Sequence, residues 1–132
     1  MARALESARA RRGQTTDVPV SANRLNLRVF SLVGEDDPAK IERAAVDYLA
    51  SMQDELTAID FALAAGDWPV AAGAAHRLKS HAGFVGATEL QQAAEAFEQT
   101  IELAEPASRT RLRDNLFAQA ERVRLQVEAR IT

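Results

Sequence analysis

Cysteine is absent from the 132 residues, and histidine occurs twice, at His76 and His81. Disulfides, iron–sulfur clusters, thiolate metal sites and a cysteine nucleophile are therefore excluded. Any imidazole chemistry rests on one or both of those two side chains. Neutral imidazole is a good nucleophile near pH 7, provided a reacting group can reach it. On a helix the neighbours of His76 lie three, four and seven residues away. They are Ala72 and Gly73 behind it and Lys79, Ser80 and Gly83 ahead. All except Lys79 are small. The strip Gly73–His76–Ser80–Gly83 runs beside the apolar stripe Ala75–Leu78–Ala82–Val85 rather than along it. The His76 ring is expected on the surface with nothing bulky over it.

Such a strip costs stability, because each mid-helix glycine costs about 1 kcal/mol relative to alanine. Small residues also let helices approach closely, but packing does not explain why the cleared strip surrounds an imidazole and a lysine. A convex, cleared surface around a nucleophile suits access by another protein's active site. A phosphoryl group on the ring would bring roughly two negative charges. Lys79, one turn along the same face, supplies a compact positive charge to meet them. If Phe97 points inward from the following helix, Glu98 stands at that helix's edge, where its carboxylate can accept a hydrogen bond from the other ring nitrogen and fix the tautomer. His81 has Arg77, Leu78, Phe84 and Val85 as helical neighbours and is expected to be a half-buried packing residue.

The elements that must hold these residues are all helical. A short helix is predicted over Asn23–Val33, with Leu25, Val29, Leu32 and Val33 on one side, ended by Gly34. Asp37 and Pro38 open a helix running to Ala65, whose inward positions Ile41, Ala45, Tyr48, Met52, Leu56, Ile59 and Leu63 are spaced by three and four. Gly66 stops it, and Asp67 with Pro69 starts a third helix over Trp68–Val85, ended by Gly86. The fourth is predicted over Thr88–Ala104, with Leu90, Ala94, Phe97 and Ile101 inward. Pro106 follows, and the fifth covers Ala107–Ile131, with Leu112, Leu116, Ala120, Val123, Val127 and Ile131 inward. No segment alternates as a strand does. Four long amphipathic helices on short loops make an all-α, antiparallel up-down-up-down four-helix bundle, with the short first helix capping one end. Residues 1–22, rich in Ala and Arg and then in turn formers, read as a flexible tail or linker, and 23–132 as the bundle domain.

Composition agrees with one compact domain: 47% hydrophobic, 27% charged, net charge −3. Arg3, Arg9, Arg11 and Arg12 against Glu6 and Asp17 make the first 20 residues net positive. Six arginines against Asp114, Glu121 and Glu128 do the same for 106–132, and the middle is acidic. Along the last helix Arg alternates with acids, which reads as a solvated face and not as a nucleic-acid surface. No apolar run approaches a membrane span, and the Arg-rich start lacks a signal peptide's apolar segment. No membrane contact by the domain is expected. The default address is the cytoplasm and the default state a monomer.

The stretch Ala75-His76-Arg77-Leu78-Lys79-Ser80-His81-Ala82-Gly83-Phe84-Val85-Gly86-Ala87-Thr88-Glu89-Leu90 resembles the signature of histidine-containing phosphotransfer (HPt) domains. That pattern is A-H-x-L-K-G/S, a few small residues, then L/V-G-A-x-x-L. The helix plan over about 23–131 is similar to the family's. The resemblance implies that His76 accepts a phosphoryl group on Nε2 from a receiver-domain aspartate and passes it to another receiver. It implies that Lys79 helps neutralise that group and that Glu98 stands near the histidine. Gly73, Arg77, Ser80, Gly83 and Phe84 would form the surface on which the receiver docks. Ser80 replaces the commoner glycine, Arg77 is at a variable position, and Phe84 sits where a small polar residue is common, either adding docking surface or plugging a gap beneath the fourth helix.

No G-x-x-x-x-G-K-[ST] or G-x-G-x-x-G loop is present. The chain is therefore expected to be a phosphocarrier and not an enzyme with its own ATP site, its Mg²⁺ supplied by the partner receiver. The residues three before His76 and His81 are Gly73 and Leu78, so the Glu-x-x-His pairs of di-iron bundles are missing, and no cofactor or metal is expected. Three alternatives stand beside this reading. One is the phosphoacceptor domain of a chemotaxis-type histidine kinase, whose donor is ATP. Another is a helical bundle that only binds a partner. The third is an enzyme using Ser80, His76 and an acid, although no oxyanion hole is evident. A hybrid histidine kinase could be the parent or the donor.

Overall fold

The computed structural model describes residues 25–131, and its regular structure is five helices: α1 (Arg28–Val33), α2 (Pro38–Ala65), α3 (Trp68–Phe84), α4 (Thr88–Thr100) and α5 (Pro106–Ile131). The predicted tail 1–22 lies outside the described residues. Helix boundaries follow local chemistry. The Asp37 carboxylate accepts from the Ala39 N–H at 2.9 Å and Pro38 occupies the first turn, so α2 starts there. It ends where Gly66 turns left-handed (φ 68°) and its N–H returns to the Ala62 and Leu63 carbonyls. Asp67 then caps α3 through the Val70 N–H at 3.3 Å.

Short connections make successive long helices antiparallel. α3 packs between α2 and α4, and α5 closes the bundle against α4 and α2. Ile59 and Met52 of α2, Leu78 of α3, Leu90 and Phe97 of α4 and Leu116 and Val127 of α5 meet in the centre and are almost completely buried. Each such side chain contributes roughly 1.5–3 kcal/mol of transfer free energy. The fold is the all-α, up-down-up-down bundle expected from the periodicity, with α1 against α2 at one end.

Two predicted elements differ. α1 begins at Arg28 and not at Asn23, and its buried residue is Phe30, whereas Leu32 and Val33 are exposed. In a six-residue helix the phase of the apolar pattern is ambiguous, and tertiary contact decides it. Phe30 meets Tyr48 edge-on at 5.5 Å and Phe84 at 5.9 Å. Gly34 after it is buried, and a Cβ there would stand 2.7 Å from the Ile41 nitrogen, so only glycine fits the α1–α2 corner. α4 stops at Thr100 and not at Ala104. The Arg109 side chain of α5 donates to the Ile101 and Glu102 carbonyls, at 2.8 and 2.6 Å, and takes over the helix end. Arg109 also lies 3.8 Å over the ring of Trp68, tying the start of α3 to the same corner.

Candidate functional site

Burial fixes the rotation of α3. Ala71, Ala74, Ala75, Leu78 and Ala82 face the core, so the remaining strip looks outward between α2 and α4. His76 stands in that strip with its side chain 59% exposed. Its Nδ1 lies 3.0 Å from Oε2 of Glu98 on α4. A carboxylate can only accept, so Nδ1 carries the proton and Nε2 keeps its lone pair. Glu98 is placed there because Phe97, its neighbour, is fully buried and anchors α4. The result is an imidazole of fixed tautomer whose second nitrogen is open to a reacting group.

The flanks of the strip carry charge. Lys79 lies on the α4 side, 3.7 Å from Glu95 Oε1. Arg77 lies on the α2 side, where its Nε donates to Glu55 at 2.9 Å. Between them the surface is low. A Cβ added to Gly73 would meet only the Arg77 guanidinium, at an ordinary 3.8 Å, and one added to Gly83 would meet the end of the Gln91 side chain at 3.1 Å. Packing among the described residues thus does not require Gly73. At Gly83 the obstacle is a flexible amide.

His81, five residues on, occupies a different environment. Its ring packs on Tyr48, with centroids 5.0 Å apart, and burial pushes its pKa below the usual 6.5, opposed in part by Glu55. The Tyr48 hydroxyl donates a hydrogen bond to the His81 carbonyl, one of the last carbonyls of α3. Burial pushes the Tyr48 phenol well above its ordinary pKa. Phe84 stacks on Tyr48 at 5.9 Å and so points toward α1 and α2; it does not plug a gap beneath α4. It is 44% exposed and, with Phe30, Val33, Tyr48, Ser80 and His81, lines a shallow groove of about 490 Å³ beside the strip.

The structure therefore brings His76, Lys79 and Glu98 to one face, with Gly73, Ser80 and Gly83 along the same strip, Arg77 at its α2 edge and Phe84 at the groove. The Lys79–Glu95 pairing was not read from sequence. The available signal was that Glu95 and Glu98, three apart, share one face of α4. Trp68 is half-buried at the edge of the core under Arg109. Among the described residues, no group of three or more acids and histidines is placed to hold a metal, and no helix is long and apolar enough to cross a membrane.

No curated protein and no solved structure matches the chain. The Hpt domain family matches residues 43–130, which take in most of α2, all of α3 and α4, and all but the last residue of α5. With two-thirds of its length so matched, folded as a helical bundle that presents a histidine on its third helix, the chain belongs to the Hpt family of phosphotransfer domains of two-component signalling.

Proposed function

We propose that His76 is the phosphoacceptor and that the chain relays phosphoryl groups between receiver domains. The observation that carries this reading is the exposed imidazole whose Nδ1 is held by Glu98 at 3.0 Å. In the step proposed, the Nε2 lone pair attacks the phosphorus of a receiver's aspartyl phosphate. The phosphorus–oxygen bond breaks and the aspartate leaves as a carboxylate. The Nδ1 proton stays on the ring, and Glu98 offsets the positive charge that develops there. Lys79 turns toward the phosphoryl oxygens. The reverse of these steps on a second receiver completes the relay. Such transfer depends on positioning and charge neutralisation; in this reading the receiver supplies Mg²⁺ and its own aspartate. The reading places the chain in the cytoplasm with its receivers, as a monomer.

The docking surface in this reading is the strip Gly73–Ser80–Gly83, with Arg77 at its edge and the groove bearing Phe84 alongside. A transient contact near 1,000 Å² is typical. The test is incubation with a panel of phosphorylated receivers, followed by mapping of acid-labile phosphate. Label is expected at His76, and none in His76→Gln. Acid-labile phosphate persisting in that variant would overturn the assignment.

A further inference from the structure

α4 turns two carboxylates toward α3, and only one of them serves the imidazole. Glu98 takes Nδ1 of His76, whereas Glu95, one turn earlier, lies 3.7 Å from the Lys79 ammonium. Glu95 is itself steadied by Gln99, whose amide donates to its other oxygen at 3.2 Å. Both members of the pair are partly exposed, Lys79 at 36% and Glu95 at 51%. Lys79 is thus engaged by an anion of this chain before any phosphoryl group arrives. A phosphoryl group on Nε2 would compete with Glu95 for the same ammonium and would feel the negative field of both carboxylates.

We infer that Glu95 is a positioning residue that holds Lys79 in reserve and thereby weakens the hold of this chain on a phosphoryl group. The inference rests on the phosphoacceptor reading of His76 and adds a control to it. A carrier must release what it accepts. A lysine with a standing alternative partner stabilises the phosphorylated state less than a free lysine would, so the group is not trapped on the carrier. The exchange is an ion-pair swap on one face: Lys79 leaves Glu95 as the phosphoryl group arrives and returns when it departs. Partly exposed ion pairs are weak, which suits a swap that must run in both directions.

The test needs no knowledge of the natural receiver. Potassium phosphoramidate donates a phosphoryl group directly to imidazole: its phosphorus–nitrogen bond breaks as the phosphorus–Nε2 bond forms, and ammonia leaves with the bonding pair. The rate of phospho-His76 formation would be followed by phosphorus NMR in the wild-type chain, Glu95→Gln, Lys79→Gln and the double variant. All these side chains lie at the surface, so the variants retain the fold. With Lys79 present, Glu95→Gln is expected to speed loading about two- to fivefold, the range of a partly exposed ion pair. In the Lys79→Gln background the gain shrinks by at least half, because only direct repulsion is then relieved. It disappears near 1 M salt, where the screening length is about 3 Å. An equal gain in both backgrounds, no gain, or a gain that survives 1 M salt would overturn the inference while leaving His76 as acceptor. If neither phosphoramidate nor phosphorylated receivers label His76, the phosphoacceptor reading itself falls, and this inference with it.

Discussion

His76 and His81 lie five residues apart on one helix and do opposite things. His76 looks out between α2 and α4, with Nδ1 bonded to Glu98. His81 turns toward α2, packs its ring on Tyr48 and has its pKa lowered by burial. The rotation of about 140° between them, five steps of 100°, is all that separates a candidate nucleophile from a packing residue. An imidazole's role is therefore set less by its own chemistry than by which neighbours the helix phase assigns it. At His76 those neighbours are glycine, serine and a lysine; at His81 they are aromatic rings.

The comparison breaks most plainly by substitution. His76→Gln should abolish phosphoryl uptake with little change in the urea midpoint, whereas His81→Gln should keep uptake at His76 and lower the midpoint. The reverse outcome would exchange the two roles. Next in size, Gly83→Leu should leave the chain folded, Gln91 swinging aside, but slow transfer from a phosphorylated receiver about tenfold, equivalent to 1.4 kcal/mol of docking free energy. Unchanged transfer would show that the cleared strip is not a docking surface.

Smaller effects sharpen the His81 side. Tyr48→Phe leaves the His81 carbonyl without its hydroxyl donor and should cost about 1–2 kcal/mol in urea denaturation, with transfer intact. Titration adds a sign. Because burial lowers the folded pKa of His81 below 6.5, the unfolded chain binds the proton first as pH falls. This contribution to stability is complete above about pH 6.5 and is lost as pH falls through the folded pKa. His81→Gln should remove that slope from the stability–pH curve. Smallest of all, Gly73→Ala should stabilise by about 0.5–1 kcal/mol, since its Cβ meets only Arg77.

Most of the fold was legible because α2, α3, α4 and α5 carry long apolar periods, with an Asp cap, an early proline and a following glycine marking α2 and α3. What was missed came from contacts distant in sequence. Six residues of α1 could not define a face until Phe30 met Tyr48 and Phe84. The end of α4 depends on a guanidinium from α5. At the candidate site, the clearance around His76 is a local property of α3 and could be read from spacing. The approach of Glu98 needed only the antiparallel pairing of α3 and α4 and the inward turn of Phe97. The engagement of Lys79 by Glu95 depends on the axial offset between those helices, which no pattern within either helix specifies. Phe84 shows the same limit: its sequence position allowed either added docking surface or a plug beneath α4, and where it points depends on the rings of Phe30 and Tyr48.

α1 has one further consequence. At six residues it is far below the length at which a helix persists alone in water. Its anchors include the seated ring of Phe30 and the hydrogen bond from the Asn26 N–H to the Val85 carbonyl, 2.8 Å. Among the described residues, one wall of the groove beside His76 is therefore expected to open at less cost than the long helices. Its amides should exchange with deuterium well before those of α3, and, in the docking reading proposed above, a surface with one yielding wall would accommodate receivers of more than one shape.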